Sequence, residues 1–517
     1  MSNTKNKLPL LLAIILGFCT SFNVQSQNKE QYRPQFHFSP LKGWMNDPNG
    51  MVFLDGEYHL FYQYSPDKTV WGPMHWGHAV STDMIHWQHL PIALYPDSLG
   101  YIFSGSSVVD VKNSSGLGTV QNPPMIAIFT YHNAKLEKAG SKIFQNQGIA
   151  YSTDKGRTWA KYSGNPVLKN PGFPDFRDPK VNWNEPLQRW IMVLAAGDRV
   201  KFFSSSNLID WTFESDFGVN LGAHGGVWEC PDLFPMKIEG TNDLKWVLLV
   251  SINPGGPNGG SSTQYFVGDF NGHEFKNLDS HTRWIDFGKD NYAGVTWSNI
   301  PTEDGRRLFV GWMSNWEYAQ KVPTIMWRSA MTLPRELSLL HENNGYCLAS
   351  NPVKEVLDLR DTMVNIKLKN ITGNHDISKQ IPFDKTQVEI IVKFKLKNKQ
   401  EASKFGIKLS NRQNEQVLIG YNVVTKQYYV DRRKSGNIGF SDLFNGVFIA
   451  NCEPIDDSIE MHLFIDKASV ELFGQKGRIV LTNIFFPAGP YNKLSVFSEG
   501  GITDVQECKV WKLKSIL

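Results

Sequence analysis

The sequence is poor in cysteine, in net charge and in long apolar runs. It has five cysteines in 517 residues, and their spacing is not that of a metal site. Basic and acidic side chains nearly cancel, to a formal net charge of +3, so no nucleic acid or anionic membrane surface is expected as a partner. Beyond the N-terminus no apolar run approaches the length that crosses a bilayer. These absences predict a soluble globular protein, long enough for two or more domains.

Residues 1–26 have the pattern of a secretory signal. They contain two lysines, a short apolar core and a Val-Gln-Ser cleavage site. Cys19 leaves a lipid-anchored form open as an alternative, although Phe18 before it is bulkier than the small residue that such processing needs. We therefore expect export to the periplasm or the extracellular space. A Cys452–Cys508 disulfide would be chemically allowed there.

Helical periodicity is almost absent from the rest of the chain. Short apolar and aromatic segments, broken by Gly, Pro, Asn and Asp, follow one another instead, as in residues 125–131, 190–195, 246–252 and 308–313. Such segments are typical of β-strands separated by tight turns. Aromatic residues make up 13% of the chain, which suits sugar stacking and an all-β core equally well.

A weak internal repeat runs through the first two thirds of the chain. Residues 81–87, 152–159 and 205–211 each place a Ser-x-Asp or Ser-x-Asn turn before a Trp, and residues 265–275 resemble a degenerate fourth copy. Spacings of roughly 50 to 70 residues fit one antiparallel sheet per copy, as in a β-propeller. Counting such units to about residue 340 predicts five blades. We assign the Trp residues of the repeat to blade packing rather than to ligand contact.

The pattern changes near residues 335–365. Alternating strands rich in Lys, Val and Ile follow, with turns about every eight to twelve residues, as in a β-sandwich. We therefore predict an all-β fold with a five-bladed β-propeller over residues 27–345 and a C-terminal β-sandwich over residues 346–517. No cluster of exposed aromatic residues can be assigned in the sandwich, so we interpret it first as structural support.

Residues 43–50, Gly-Trp-Met-Asn-Asp-Pro-Asn-Gly, place the Asp47 carboxylate among an indole, an amide and a tight turn. This setting suits a reacting group held beside a polar ligand, but also an ordinary turn residue. The following segments are separated by residues 55–56, Asp-Gly, which predict a two-residue hairpin turn. The register of that hairpin would bring Asn46 and Asp47 beside Gln63 and Tyr64.

Two further acidic motifs lie in the predicted propeller, at residues 173–179 and 225–232. In the first, Arg177 would keep Asp178 ionised. In the second, Glu229 has Trp228 and Cys230 as neighbours and would be partly desolvated, so its proton would persist towards neutral pH, as a general acid requires. Taken alone, the first motif is equally compatible with a local ion pair and the second with a strand end.

Four motifs together resemble glycoside hydrolase family thirty-two, which contains invertases, inulinases, levanases and fructosyltransferases. They are residues 44–50, 103–106 (Phe-Ser-Gly-Ser), 177–179 (Arg-Asp-Pro) and 228–231 (Trp-Glu-Cys-Pro), in this order. The similarity runs from about Gln35 to the C-terminus. It is greatest to bacterial exo-acting levanases, which also carry stretches similar to residues 71–78 and 311–316.

The resemblance implies a five-bladed propeller with its site in the central funnel, a packed C-terminal sandwich, and roles for individual residues. Asp47 would be the nucleophile, Glu229 the acid/base, and Asp178 the group that hydrogen-bonds fructosyl hydroxyls through the transition state. The implied substrate-binding residues are Trp44, Asn46, Gln63, Trp71, Phe103, Ser104, Arg177, Tyr292 and Trp312. No cofactor or metal is expected, since His75 and His78 have no carboxylate or Cys at ligand spacing.

The predicted function is that of an exo-acting retaining β-fructosidase that removes terminal fructose from levan, inulin or sucrose. A retaining enzyme needs its two carboxyl groups roughly 5 to 5.5 Å apart. A fructosyltransferase, an endo-levanase, a pentose-releasing hydrolase and a non-catalytic carbohydrate-binding protein are the alternatives. The preferred fructan linkage, the contribution of the sandwich to sugar binding and the oligomeric state are left open by the sequence.

Overall fold

The computed structural model describes residues 30–342, 345–396 and 402–517, so the predicted signal at residues 1–26 lies outside the described residues. Within these ranges the chain is almost entirely β-structure, with one short α-helix, α1 (Ala134–Lys138). Three short 3₁₀ helices lie at Ala319–Lys321, Lys354–Leu359 and Ser378–Gln380. No helix in these ranges is long and apolar enough to cross a bilayer.

Five antiparallel sheets form the first part of the molecule. The first two are β1 (Gly43–Leu54), β2 (Glu57–Ser65), β3 (His75–Ser81) and β4 (Gln88–Leu94), then β5 (Tyr101–Val109), β6 (Met125–His132), β7 (Gln145–Ser152) and β8 (Ala160–Lys161). The next two are β9 (Phe176–Asn184), β10 (Arg189–Ala196), β11 (Val200–Ser205) and β12 (Thr212–Phe217), then β13 (Val227–Lys237), β14 (Leu244–Asn253), β15 (Ser262–Phe270), β16 (Phe275–Asn277) and β17 (Arg283–Trp284). The fifth contains β18 (Tyr292–Thr296), β19 (Arg307–Met313), β21 (Ala330–Met331), β22 (Arg335–Glu342) and β23 (Gly345–Pro352).

The first strands of these sheets close a ring. β1 contacts β5, β5 contacts β9, β9 contacts β13, β13 contacts β18, and β18 returns to β1. The short strand β20 (Trp327–Arg328) follows β19 in the chain. It pairs in parallel with β1 and so joins the first sheet. The predicted five-bladed propeller is therefore confirmed.

The repeated turns join the third and fourth strands of blades one to three. Each serine hydroxyl donates to the acidic or amide side chain two residues later, namely Ser81 to Asp83, Ser152 to Asp154 and Ser205 to Asn207. The indoles of Trp159 and Trp211 donate back to carbonyls of their own turns. These side chains also pack against the blade cores, as predicted.

The β1–β2 hairpin turns at Asp55 and Gly56, both with positive φ, as a type I′ turn requires. Pairing near the turn is as predicted, with Val52 opposite His59. Two irregularities in the ladder then shift the register, so that Met45 lies opposite Tyr64. The predicted position of Asp47 beside Tyr64 is thus wrong, because bulges add residues to one strand only.

The C-terminal strands form two sheet halves that share one long strand, the last of the chain. These strands are β24 (Arg360–Asn365), β25 (Ile371–Asp376), β26 (Val388–Lys395), β27 (Lys404–Ser410), β28 (Gln416–Asn422), β29 (Gln427–Lys434), β30 (Val447–Asn451), β31 (Ser458–Asp466), β32 (Ser469–Gly474), β33 (Ile479–Ile484) and the shared strand β34 (Lys493–Leu513). The hydrophobic core between the halves includes alternate residues of β26, from Val388 to Phe394. The predicted sandwich is confirmed.

The last strand of the fifth blade bears on the domain boundary. β23 pairs with β22 along its whole length, and residue 345 is where it begins. We propose that the boundary follows Pro352 rather than residue 345.

The four described cysteines, Cys230, Cys347, Cys452 and Cys508, are all free thiols. Cys508 is buried in the sandwich core, where burial raises its pKa to about 12. The structure therefore does not contain the Cys452–Cys508 disulfide that an exported domain would allow.

Charged side chains are buried where the two domains meet. Arg335 from the propeller pairs with Asp286 at 3.0 Å and with Glu471 of the sandwich at 2.5 Å. The imidazole of His37 lies between Asp466 and Glu471, at 2.8 and 2.9 Å. Such a network fixes one domain against the other, since each buried charge needs its partner.

Candidate active site

Side chains from the starts of all five inner strands meet at one end of the propeller axis. Asp47 comes from β1, Ser104 from β5, Asp178 from β9, Glu229 from β13 and Tyr292 from β18. Hydrogen bonds join the side chains in pairs, from Ser104 to Asp47 and from Tyr292 to Glu229. The propeller thus gathers motifs that are far apart in sequence into one site.

The Asp47 carboxylate is buried and held from three sides. The Ser104 hydroxyl donates to Oδ2 at 2.6 Å, and the Asn46 amide donates to Oδ1 at 3.0 Å. The Cys230 thiol contacts Oδ2 at 3.5 Å. Asn46 is itself oriented by the Trp44 indole, which donates to its side-chain oxygen at 2.8 Å.

The Asp178 carboxylate lies on the other side of the same thiol. Its Oδ2 accepts the Cys230 backbone N–H at 3.0 Å and contacts the Cys230 sulfur at 3.6 Å. The Asp178 backbone has a positive φ of 67°, and its N–H donates to the Thr130 hydroxyl at 2.9 Å. Cys230 also has a positive φ, of 45°. Two strained positions therefore turn Cys230 and Asp178 towards the site.

Glu229 is held by a cation and a phenol. The Arg177 Nε donates to Oε1 at 3.0 Å, and the Tyr292 hydroxyl donates to Oε2. Arg177 also contacts Asp175 at 2.5 Å and Gln145 at 3.3 Å. The guanidinium therefore orients Glu229 and is itself oriented by its neighbours.

The electrostatics differ from the sequence-based expectation. Burial raises the pKa of Asp178 to about 7, with Glu229 and Asp47 adding to this effect and the Arg177 charge opposing it. Arg177 does lower the pKa of Asp178, as predicted, but its hydrogen bonds go to other residues and desolvation is the larger effect.

The pKa of Asp47 is raised as well. Burial is the main cause and the nearby Glu229 adds to it, while the hydrogen bonds from Ser104 and Asn46 act in the opposite direction. The amide-rich setting predicted for Asp47 is present, but desolvation outweighs it.

Trp228 does not lie where the sequence suggested. Its indole packs in the blade core against Phe266 and donates to the Ala223 carbonyl. Neighbouring side chains on a strand point to opposite faces, so Trp228 faces away from the Glu229 carboxylate. The expected desolvation of Glu229 by this indole is wrong.

The predicted aromatic residues differ in how far they are buried. Trp71 is 37% exposed and lies edge-on to Phe103 at 6.0 Å. Trp44 and Trp312 are fully buried and contact each other, and Trp312 also packs against Tyr292. Trp71 and the half-buried Phe103 can contact a ligand directly, whereas Trp44 and Trp312 support the residues around them.

Gln63 is hydrogen-bonded to a neighbouring side chain rather than to the carboxyl groups themselves. Its amide donates to the Asn49 side chain at 2.7 Å. Among the described residues no hydrogen bond joins Gln63 to Asp47, in keeping with the shifted register of β1.

Sequence analysis missed several residues of the site. Thr130 and Gln145 contact Asp178 and Arg177 from strands of the second blade, and the ring of His132 stacks on Phe103 at 4.2 Å. No local motif marks these three. Asp175 could have been found, because it is two residues before Arg177 in a motif already singled out.

The arrangement provides acid/base and nucleophilic chemistry. The carboxyl groups of Asp47, Asp178 and Glu229 lie in one cluster, and each is fixed by hydrogen bonds to side-chain or backbone donors. In the described part of the chain, no three His, Cys, Asp or Glu side chains are arranged as a metal site. A pair of fixed carboxyl groups is the set of side chains that cleaves a glycosidic bond in most glycoside hydrolases.

Comparison with known proteins identifies the family. The sequence model for the glycosyl hydrolases family 32 N-terminal domain matches residues 37–352, and that for the family 32 C-terminal domain matches residues 355–512. A levanase from Bacillus subtilis (strain 168) is 46% identical over 98% of this chain and 74% of its own length.

Solved structures agree with the sequence comparison. The exo-inulinase from Aspergillus awamori has a TM-score of 0.87 and 34% identity, covering 95% of this chain and 100% of its own. The β-fructofuranosidase from Schwanniomyces occidentalis, complexed with fructosyl-erythritol, has a TM-score of 0.85 and 33% identity, covering 94% and 98%. The chain therefore belongs to glycoside hydrolase family 32.

Proposed function

We propose that the protein is an exo-acting, retaining β-fructosidase that releases terminal fructose from fructans and sucrose. The main support is the carboxyl cluster, in which Asp47 and Asp178 lie on either side of Cys230 and Glu229 is held by Arg177 and Tyr292. The names of the relatives, levanase, exo-inulinase and β-fructofuranosidase, support fructosides as the substrate class.

In the proposed mechanism Asp47 attacks the anomeric carbon of the terminal fructosyl unit. Glu229 gives a proton to the leaving glycosidic oxygen as that bond breaks, so a fructosyl ester forms on Asp47. Glu229 then takes a proton from water, which attacks the same carbon and frees Asp47. Asp178 accepts hydrogen bonds from sugar hydroxyls, which strengthen as positive charge develops in the transition state.

The buried cluster also provides the proton that the first step needs. Burial raises the pKa of both Asp47 and Asp178, so three full negative charges within the cluster are unfavourable. We infer that the free site holds at least one proton near neutral pH, shared within the cluster. Substrate binding then sets which carboxyl group carries it.

Product analysis tests this proposal. The protein is incubated with levan, inulin and sucrose, and early products are separated by chromatography. Free fructose without intermediate oligosaccharides is expected from each fructan that is hydrolysed. A ladder of oligosaccharides would identify an endo-acting enzyme, products longer than sucrose a fructosyltransferase, and no cleavage a binding protein.

We further propose that the enzyme acts outside the cytoplasm. Residues 1–26 have the pattern of a secretory signal, and an exo-inulinase from Aspergillus awamori that is 35% identical is named extracellular. Fractionation of the producing cells tests this, with fructosidase activity expected outside the cytoplasmic fraction. Activity confined to the cytoplasm would contradict it.

A further inference from the structure

A cavity lies at the end of the propeller axis opposite to the carboxyl cluster. Its volume is about 1020 Å³, at the upper end of the range for small-molecule sites. The inner strands that begin at the active site reach this cavity further along, with Val109 of β5, Asn184 of β9 and Phe234 of β13 in its lining.

Buried side chains separate the two ends of the axis. Lys180 and Asp232 form an ion pair at 3.3 Å, and both are almost fully buried. Asp232 also accepts hydrogen bonds from the backbone and the hydroxyl of Thr296. The three residues come from β9, β13 and β18, so they tie these strands together between the active site and the cavity.

The cavity has an aromatic lining. Its rings belong to Trp183, Trp190, Phe234, Trp246, Phe270 and Trp297. Most are buried in the blades, but Trp183 and Trp246 are only half-buried. Accessible indole rings in a concave site are suited to contact the apolar faces of sugars.

Two polar groups in the lining lack hydrogen-bond partners. The Arg307 guanidinium lies 4.8 Å from the centre of the Phe234 ring, and no hydrogen bond joins it to any described residue. The Ser298 hydroxyl is in a residue only 6% exposed and has no partner within the described ranges either. The Ser298 oxygen is itself buried, so Arg307 is the unfilled donor that a ligand with hydroxyl groups would use beside the aromatic rings.

Two of the three cations that line the cavity are already paired. Lys112 is bonded to Gln188 at 2.7 Å and lies 3.8 Å from Glu185. Arg306 pairs with both Asp304 and Glu355. Arg307 is thus the one cation among the cavity's described lining residues without an ion pair.

We propose that this cavity is a second, non-catalytic carbohydrate site that binds a short fructan segment. The choice of fructan rests on the proposed function, because the enzyme meets that polymer as its substrate. A second site would hold the enzyme on a polymer while its active site works at a chain end.

Calorimetric titration tests the proposal. A fructan tetrasaccharide is titrated into Glu229→Gln, in which turnover is suppressed, and two binding sites are expected. Adding Trp183→Ala or Arg307→Gln should weaken one site about tenfold or more, as expected for the loss of an aromatic or charged contact. The matched control is Trp211→Ala, a half-buried Trp at the outer turn of the same blade, which should leave both sites unchanged.

Three results would overturn the proposal: a single site in Glu229→Gln, two sites of unchanged affinity in both cavity variants, or displacement of the tetrasaccharide from the second site by inorganic phosphate. Arg307→Gln removes no ring from the core, so it carries the test if Trp183→Ala fails to fold.

Assays with Glu229 intact separate this proposal from the proposed function. Trp183→Ala and Arg307→Gln should keep the parent kcat/KM on sucrose, because they lie at the far end of the axis. Tetrasaccharide binding that depends on Trp183, in a protein unable to release fructose, would contradict the proposed function alone. Fructose release from a protein with one binding site would contradict the cavity proposal alone.

Discussion

At the scale of single residues, the site is governed by desolvation of its carboxyl groups. Asp47 and Asp178 are both buried, and burial raises both pKa values even though donors surround them. Hydrogen bonds from Ser104 and Asn46 lower the pKa of Asp47 and so counteract part of this effect. As the proposed nucleophile, Asp47 can attack only in its ionised form, which these donors favour and burial disfavours.

Ser104→Ala should therefore move the acid limb of the pH profile. The Ser104 hydroxyl donates to Asp47 Oδ2 at 2.6 Å and favours the charged form, so its loss raises the pKa of Asp47 further. Asp47 must be ionised to attack, so kcat/KM should begin to fall at a pH about one unit higher than in the parent enzyme. The measurement is kcat/KM on sucrose as a function of pH.

Ser106→Ala is the matched control on the same strand. Its hydroxyl is also buried, but it donates to the Pro179 carbonyl and not to a carboxylate. Some stability should be lost while the acid limb stays in place. Equal shifts in both variants, or no shift in Ser104→Ala, would show that this hydrogen bond does not set the ionisation of Asp47.

At the scale of elements, the position of Asp47 depends on the irregular course of β1. Gly50 has a positive φ of 52°, and a Cβ there would lie 2.7 Å from the rings of Phe61 and Trp76. Position 50, which lies within the second irregularity of β1, therefore has room for glycine only. Asp47, the proposed nucleophile, is three residues away, so a distortion at Gly50 should displace it.

Gly50→Ala should lower both stability and activity. The strained backbone and the clash with two packed rings together should cost about 2–5 kcal/mol, and displacement of Asp47 should reduce kcat at least tenfold. Thermal unfolding and kcat on sucrose measure the two effects.

Gly56→Ala separates the clash from the backbone strain. Gly56 also has a positive φ, of 84°, but a Cβ at this position would have no other atom within 4 Å. The substitution should cost only about 1 kcal/mol and leave kcat unchanged. If Gly50→Ala and Gly56→Ala lost stability and kcat to the same extent, crowding around Gly50 would not be what fixes the course of β1.

The elements differ in how far sequence could predict them. The Ser-x-Asp turns and the Asp55-Gly56 hairpin were predictable, because local side-chain hydrogen bonds and positive φ angles specify them. The irregularities of β1 were not, because they depend on packing between blades. They changed the neighbours of Asp47.

The residues of the site also differ in how far the sequence could predict them. Its carboxyl groups were found from local motifs. The partners of Arg177 were not, because Gln145 and Glu229 reach it from other blades. Trp228 was misplaced for a simpler reason, since strand alternation sends adjacent side chains to opposite faces.

At the scale of the whole molecule, the two domains are joined through buried charges. His37 lies between Asp466 and Glu471, and these two carboxylates raise its pKa to about 9 against the opposing effect of burial. The folded protein therefore holds a proton on His37 that the unfolded chain releases near pH 6.5. This stabilisation is fully present below about pH 6.5 and is lost as the pH rises through about 9.

His37→Gln should be less stable at pH 6 by about 3–5 kcal/mol, because two buried carboxylates lose their shared cation. Between pH 6.5 and 9 the parent should lose roughly 3 kcal/mol of stability from this group, whereas the variant should lack that component. Denaturant unfolding at several pH values measures both.

Lys426→Gln is the control for the loss of any ion pair. Lys426 and Glu453 are 2.8 Å apart, but both are exposed, so the variant should match the parent within about 1 kcal/mol. A parent stability that stays constant from pH 6.5 to 9 would contradict the assignment of a proton to His37.

The central claim is that Asp47 attacks the sugar and Glu229 protonates the leaving group. The most direct test compares Asp47→Asn and Glu229→Gln on sucrose and on a fructoside whose leaving group departs without protonation. Asp47→Asn should lose on the order of 10²-fold or more in kcat/KM on both substrates, because no fructosyl ester can form. Glu229→Gln should lose as much on sucrose but retain far more activity on the activated fructoside. If Asp47→Asn were instead the variant spared on the activated fructoside, the two roles would be reversed and the account of the site would be wrong.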